Sequence, residues 1–301
     1  MLVGSPAGKK SGSLEKSQAR TKKCVPDFCV SNALRRQYSS SFGGNSFTSK
    51  RTCSMSANIN TMPGKKKRVA LVVANAAQST QTGWPIGFWW AELSHPYWTF
   101  TEKGYEVEIF SPAGGALVAD GYSDPEDTSG YSAHDILSLG FKKSAMHAAL
   151  LENTPPISNI RLEDFDAIFL AGGQSPMYTF IDHQELHALF AAFYEAGKVA
   201  AAICHATCIL LKTRNSDGKL LVDGKTWTGF ADAEEAYADQ FVGMRIQPFW
   251  IETEARKIAG TQYINGGMFR PFAVRDGHLI TGQQQFSGSA AAELVIEALG
   301  I

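Results

Sequence analysis

Apolar residues beyond position 66 form short continuous runs, and these alternate with stretches in which apolar residues recur at helical spacing. The continuous runs are typical of buried strands and lie at 68–76, 105–112, 165–173 and 198–204. The helical stretches lie at 87–104, 183–197, 205–212 and 287–300. Strands that alternate with helices predict an α/β protein, a three-layer sandwich with a mainly parallel sheet and helices on both faces.

Three local signals modify this pattern. Pro96 falls inside the first helical stretch and is expected to kink or divide it, because proline cannot donate the helical hydrogen bond. Arg275-Asp276-Gly277 stands between two apolar runs and predicts a β-hairpin. Residues 111–131 are rich in Gly, Asp, Ser and Pro, and a loop of this length is expected to be a lid or another functional segment.

Residues 1–62 differ in composition from residues 63–301, which we interpret as a single domain. The N-terminal segment is rich in Ser, Lys and Arg and has no periodic apolar pattern, so we expect it to be disordered. The same composition is typical of organelle transit peptides, and the stretch 36–39 is similar to a mitochondrial processing site. The predicted location is therefore a mitochondrial or other organelle matrix, with a cytoplasmic protein that starts at Met55 as the alternative.

Charge and cysteine content narrow the class of function. A net charge of −1 disfavours nucleic acid as the main partner, and no apolar run is long enough to predict a membrane span. The five cysteines lack the paired spacing of a disulfide framework or a zinc site. The sequence has no glycine-rich phosphate loop, so it predicts no nucleotide or flavin cofactor. The histidines lack ligand spacing beyond the helical pair His183 and His187, so no metal is predicted either.

Cys204 lies where the apolar run 198–204 meets the helical stretch that follows it. The carboxyl end of a parallel strand is where open α/β sheets place their sites, and the N–H groups of a helix start favour thiolate over thiol. We therefore interpret Cys204 as a nucleophile. Cys208, one helical turn later on an apolar face, is interpreted as a core residue.

Four other residues are predicted to share this edge of the sheet. His205 is able to move protons after substrate addition, but adjacent helical residues point about 100° apart, so a direct Cys–His bond does not follow. Glu92, in the first helical stretch, can donate a hydrogen bond to the thiolate if burial keeps it protonated. Gly172 and Gly173 end a strand, and their N–H groups can form an oxyanion hole.

The order of three motifs resembles a known family. W-x-x-E-L-x-x-P at 89–96, A-G-G at 171–173 and A-A-I-C-H-A at 201–206 are similar to the ThiJ/PfpI group, and the resemblance covers residues 66–301. It implies a flavodoxin-like fold, similar to class I glutamine amidotransferase domains, with a nucleophile elbow at Cys204 and the acid of the first helix as its hydrogen-bonding partner. True glutamine amidotransferases have a His-x-Glu pattern far downstream of the cysteine, and no such pattern follows Cys204, so that activity is not predicted.

One branch of this group contains glutathione-independent glyoxalases and larger heat-shock chaperones. In that branch the histidine after the cysteine and a later acid complete a triad, and His205 matches the histidine. The acid falls in T-G-F-A-D-A-E-E-A-Y, where Asp232 is the better match and Glu235 the next. Gln174 departs from the pattern, because a histidine often follows the glycine pair, and this weakens the transfer of an exact substrate. We still expect Gln174 to line the substrate site.

The resemblance implies a homodimeric, cofactor-free enzyme that acts on a small reactive carbonyl compound. The reference reaction is that of glyoxalase III, in which methylglyoxal and water give lactate. The alternative is a stress-responsive chaperone, a thiol redox sensor or a protein deglycase of the same family. The sequence does not rank the substrates, because the loops 76–86 and 111–131, which shape the pocket, have no readable fold.

Overall fold

The structure, a computed structural model, describes residues 66–300. The expectations of disorder and of a targeting signal concern residues 1–62 and lie outside the described residues. Within 66–300, no helix combines the length and the apolar character needed to cross a membrane.

Ten strands and eight α-helices occupy the described range. The strands are β1 (Arg68–Val72), β2 (Ala77–Gln78), β3 (Pro85–Ile86), β4 (Glu106–Phe110), β5 (Ala167–Leu170), β6 (Val199–Ile203), β7 (Thr226–Trp227), β8 (Gln262–Tyr263), β9 (Ala273–Asp276) and β10 (Leu279–Gly282). The α-helices are α1 (Trp90–Glu102), α2 (Ile136–Lys143), α3 (Ala145–Ala148), α4 (Pro176–Thr179), α5 (Gln184–Glu195), α6 (Asp232–Val242), α7 (Ile251–Ala255) and α8 (Gly288–Leu299). Short 3-10 helices lie at Gly121–Ser123, Ala149–Leu151, Ile157–Asn159, Leu162–Asp164, Cys204–Leu211 and Gln285–Ser287.

Six strands form the central sheet in the order β4-β1-β5-β6-β10-β9. Neighbouring strands run parallel except β9 and β10, which form the predicted hairpin at Gly277. The chain adds β4 on one side of β1 and β5 on the other, so the strand order reverses there and opens a crevice at the carboxyl ends of the strands. The predicted α/β class with a mainly parallel sheet is confirmed.

Alternate residues of the central strands are buried on opposite faces of the sheet. Val69 and Leu71 of β1 pack into one core, which also contains residues of α1 and α8. Ala70 and Val72 pack into a second core with residues of α5 and of the 3-10 helix after β6. The strands therefore appear in the sequence as continuous apolar runs, because both of their faces are covered by helices.

Two local predictions are wrong in detail. Pro96 does not divide the first helix, which runs unbroken over Trp90–Glu102. The proline faces α8 at close range, since a Cβ added to Gly288 would lie 3.0 Å from its Cδ. The stretch predicted as a helix after β6 is a 3-10 helix rather than an α-helix, and in its first turn the Thr207 hydroxyl donates to the carbonyl oxygen of Cys204 at 2.6 Å.

Candidate active site

Cys204 directly follows β6 and has a left-handed backbone conformation with φ of 55°. Residues other than glycine rarely occupy this region because their Cβ crowds the backbone, at a cost of about 1–3 kcal/mol. The strand before it and the 3-10 helix after it hold the residue in this turn. The side chain is only 2% exposed and lines a cavity at the carboxyl edge of the sheet. This is the geometry that we expected of a nucleophile elbow.

His205 lies within reach of the cysteine, because the left-handed turn removes the separation that two adjacent helical residues would have. Its Nδ1 is 3.4 Å from the Cys204 Sγ, and its Nε2 is 3.1 Å from Oε1 of Glu235. The ring stacks on Phe230, with the ring centroids 4.2 Å apart. Burial alone would lower the pKa of His205, but the Glu235 carboxylate raises it above its ordinary value.

Glu235, and not Asp232, is the acid that reaches the histidine. The Asp232 carboxylate accepts hydrogen bonds from the backbone N–H and the hydroxyl of Thr253, at 3.1 and 2.6 Å, and so faces α7. Asp232 is the first residue of α6, and Glu235 follows nearly one helical turn later with its side chain buried. The preference for Asp232 as the third triad residue is therefore corrected, because the start of the helix directs that side chain to a different partner.

Glu92 is fully buried in the first turn of α1, beside the Cys204 thiol. The thiol is close enough to lower the pKa of the carboxyl group. Within the described residues, however, no N–H or O–H donates a hydrogen bond of ordinary geometry to either carboxyl oxygen. Burial raises the pKa of Glu92 from 4.5 to about 7, although the neighbouring thiol and His205 act in the opposite direction. The carboxyl group is therefore protonated in a large fraction of molecules at neutral pH, as the sequence predicted for a group that donates to a thiolate.

The thiol of Cys204 differs from the expectation of a resting thiolate. Burial and the adjacent Glu92 carboxylate raise its pKa well above the ordinary value. The backbone N–H groups of His205 and Gly173 act in the opposite direction, but they do not outweigh burial. The resting group is therefore a thiol, which has to lose its proton as the substrate binds.

The glycine pair after β5 allows the backbone to pass unusually close to its neighbours. A Cβ added to Gly172 would lie 2.8 Å from the Cβ of Cys204 and would collide with Oε2 of Glu92. A Cβ added to Gly173, where φ is 115°, would lie 2.6 Å from the backbone of residues 87–89. The N–H of Gly173 lowers the pKa of the cysteine thiol, whereas that of Gly172 lowers the pKa of Glu92. Gly173 fits the predicted oxyanion role better than Gly172 does.

Asp120 is a buried acid of the site that sequence reasoning missed. Its carboxylate accepts the backbone N–H groups of Gly87 and Gln174, at 2.9 and 2.7 Å, and thereby joins the segment before α1 to the loop after β5. Burial raises its pKa to about 7. In the sequence it is one of several aspartates in the polar loop 111–131, and nothing in that composition distinguishes a buried carboxylate from an exposed one.

A cavity of about 100 Å³ lies over the cysteine. Its walls come from the segment before α1, the loop 111–131, the loops after β5 and β7, α6, and the chain near 269 and 285. Gln174 lines it as predicted. Among the described residues, no cluster of three His, Cys, Asp or Glu side chains is placed to hold a metal ion.

A strained cysteine at the switch point of an open parallel sheet defines a class of α/β proteins built around a nucleophile-elbow turn. Residues 87–298 match the profile of the DJ-1/PfpI family, and the chain belongs to this family. The ThiJ/PfpI resemblance drawn from the three motifs is thereby confirmed.

Two curated relatives match over most of their length. The chain is 26% identical over 240 residues to the glutathione-independent glyoxalase HSP31 of Saccharomyces cerevisiae, covering 79% of this chain and 99% of that protein. It is 24% identical over 261 residues to the probable glutathione-independent glyoxalase hsp3103 of Schizosaccharomyces pombe, and the match covers 79% of this chain and 100% of that protein. The crystal structure of glyoxalase III from Candida albicans superposes with a TM-score of 0.63 at 26% identity, covering 77% of this chain and 97% of that one.

Proposed function

We propose that the protein is a cofactor-free, cysteine-dependent enzyme that converts small 2-oxoaldehydes and water to 2-hydroxy acids, with methylglyoxal to lactate as the reference reaction. The observation that carries the proposal is the relay from the Cys204 sulfur through His205 to Glu235, over 3.4 and 3.1 Å. The names of the two relatives and of the Candida albicans structure support the same reaction class.

The relay assigns the first proton transfer to His205. Burial raises the pKa of Glu235, and His205 acts in the opposite direction. When the carboxyl group is ionised it only accepts hydrogen bonds, so Nε2 carries the hydrogen that is donated to Glu235, and Nδ1 is left as an acceptor facing the sulfur. As the aldehyde arrives, the thiol gives its proton to Nδ1 and the sulfur bonds to the aldehyde carbon. The C=O electron pair moves to oxygen, beside the N–H of Gly173, and protonation of that oxygen gives a hemithioacetal.

The remaining steps move hydrogen between two neighbouring carbons. A base, His205 or Glu92, removes the C1 hydrogen, and the electron pair forms an enediol as the C2 oxygen takes a proton. Return of a proton to C2, as the C1 hydroxyl loses its proton and becomes a carbonyl, leaves a thioester of the hydroxy acid on Cys204. Water then breaks the C–S bond and releases the acid, so that C1 has been oxidised, C2 reduced, and one water consumed.

Turnover without glutathione tests this proposal. Purified protein is incubated with methylglyoxal and lactate is measured for the wild type, Cys204→Ser and Cys208→Ser. Cys208 is the matched control, because it lies in the core outside the cavity lining, and its thiol donates to the carbonyl oxygen of Pro176 at 3.4 Å, a hydrogen bond that serine can keep. We expect lactate from the wild type and from Cys208→Ser and none from Cys204→Ser. Equal turnover by Cys204→Ser would remove the basis of the mechanism.

A stress-responsive chaperone, a thiol redox sensor and a protein deglycase are the alternatives from the same family. Oxidation requires an accessible thiolate, so the burial and the raised pKa of Cys204 disfavour the sensor. Suppression of client aggregation by Cys204→Ser, together with no turnover by the wild type, would favour the chaperone. Release of lactate from glycated protein but not from free methylglyoxal would favour the deglycase.

The homodimer and the organelle matrix are further proposals, which rest on the family likeness and on the composition of residues 1–62. Light scattering of the full chain measures the mass of the assembly. N-terminal sequencing of protein recovered from purified organelles detects both the location and any cleavage.

A further inference from the structure

Five aromatic side chains of the cavity lining are joined by ring contacts into one group, which we call the aromatic collar: Trp84, Trp89, Tyr122, Tyr131 and Phe241. Tyr122 is at its centre, with its ring centroid 6.4 Å from Trp84, 6.2 Å from Tyr131 and 6.3 Å from Phe241. Trp89 meets Tyr131 edge to face at 6.0 Å. The collar unites the segment before α1, the loop 111–131 and α6, and all five residues line the cavity.

The charged groups of the cavity are all on its floor, and the ionisable ones other than His205 are acidic. The lining contains Glu92 and Glu235, and among the described residues that line it none is lysine or arginine. Arg245, a cation that acts on Glu235, is not part of the lining and lies over the Trp250 ring at 4.3 Å. The site therefore has no lysine or arginine with which to bind a carboxylate or a phosphate of a substrate.

Two features bring further aromatic surface to the cavity. The side chains of Tyr237 and Phe241, on successive turns of α6, are 46% and 61% exposed. Phe269 opposes Tyr237 at 5.3 Å and has a left-handed backbone conformation with φ of 52°. Such strain persists only where the surroundings impose it, and here the buried Glu234 accepts the Phe269 N–H at 2.8 Å.

We propose that this site takes uncharged 2-oxoaldehydes whose second substituent is apolar or aromatic, in preference to methylglyoxal. The substituent would lie among the aromatic collar, Tyr237 and Phe269, while the aldehyde meets the sulfur below. The inference rests on the proposed function for its chemistry and on the aromatic lining for its selectivity. Phenylglyoxal and water would give mandelate by the same internal transfer of hydrogen, with one water consumed and no other reactant.

The test compares two substrates and two variants. The ratio of kcat/KM for phenylglyoxal to that for methylglyoxal is measured for the wild type, Phe241→Ala and Met146→Ala. Met146 is a suitable control because it is an exposed apolar residue, at 71%, outside the cavity lining. We expect the wild type to favour phenylglyoxal by about tenfold or more, Phe241→Ala to lower this ratio by about tenfold, and Met146→Ala to keep it. An equal loss on both substrates would mean that the collar only shields the thiol, and it would overturn the inference.

A binding measurement separates this inference from the proposed function. Cys204→Ser protein is titrated with acetophenone and with acetone, which cannot react there, and binding is followed by ligand-observed NMR. Tighter binding of acetophenone, by about tenfold, supports the aromatic site even if no oxoaldehyde is turned over, in which case only the proposed reaction fails. Equal binding of the two ketones overturns the inference even if methylglyoxal is turned over.

Discussion

Replacing Glu235 by glutamine tests the relay most directly, because it removes one charge and keeps the shape of the side chain. In the proposed mechanism the carboxylate stabilises the imidazolium that forms when His205 takes the thiol proton. Two unit charges separated by the 3.1 Å of this contact interact by about 5 kcal/mol at an effective dielectric constant of 20. The amide of glutamine keeps a hydrogen bond and part of this energy.

We expect Glu235→Gln to lower kcat/KM for methylglyoxal by about 100-fold, which corresponds to about 2.7 kcal/mol of lost transition-state stabilisation. Glu235 raises the pKa of His205, and the base must be neutral to accept a proton, so the wild type loses activity as the pH falls through that raised pKa. Without the carboxylate the pKa of His205 falls, and the acid limb of the pH profile moves to lower pH.

The assay is the initial rate of lactate formation between pH 5 and 9, with thermal unfolding curves to verify the fold. Asp232→Asn is the matched control on the same helix, because its carboxylate bonds to Thr253 and not to the histidine. We expect this control to stay within about threefold of the wild type. A Glu235→Gln variant that retains more than half of the wild-type kcat/KM, with an unmoved acid limb, would refute the relay.

Three further predictions concern the surroundings of the thiol. Glu92→Gln removes the charge beside Cys204, so the pKa of the cysteine should fall. Thiolate absorbance in a pH titration measures this pKa, and an unchanged titration curve would contradict the effect of Glu92 on the thiol. The folded pKa of Glu92, about 7, exceeds its ordinary 4.5, so its contribution to stability is present at low pH and lost as the pH rises through 7. Chemical denaturation measures the free energy of unfolding of Glu92→Gln and of the wild type. Between pH 5 and pH 9 this free energy should rise by about 3 kcal/mol for the variant relative to the wild type. A difference between the two proteins that does not change with pH would contradict the raised pKa of Glu92. Gly172→Ala should abolish turnover and lower the melting temperature, because the added Cβ collides with Glu92 and Cys204, whereas Gly140→Ala, with no atom within 4 Å of the added Cβ and no left-handed backbone, should keep activity.

The sequence predicts the sheet and the floor of the site because both depend on strong local patterns. The β1, β5 and β6 strands are continuous apolar runs, and the ends of parallel strands meet at one edge, which brings Gly173 and Cys204 together. The identity of the triad acid depends instead on where α6 starts, and a shift of three residues exchanges Asp232 for Glu235. A family match along the sequence does not resolve such a shift.

The parts of the site that the sequence does not reveal lie on loops. Asp120 is buried only because its loop folds back over the segment before α1, and only in that fold does Tyr131 meet Trp89 and Tyr122 meet Trp84. Residues 111–131 have no periodic pattern of apolar residues from which this folding of the loop could be predicted. The expectation of a functional loop at 111–131 named the right segment, but the contacts within it are visible only in three dimensions.

The glycines at 87, 172 and 173 divide the site into two layers that can change independently in evolution. In the lower layer, around the cysteine, the backbone at these glycines lies too close to its neighbours to leave room for a Cβ. The position of the sulfur is therefore set by backbone contacts that few substitutions leave intact. Above, the collar consists of side chains on a loop and on an exposed helix face, where substitutions cost little stability. Exchange of collar residues can therefore produce new substrate preferences while the nucleophile stays in place, which makes this architecture a favourable starting point for directed evolution.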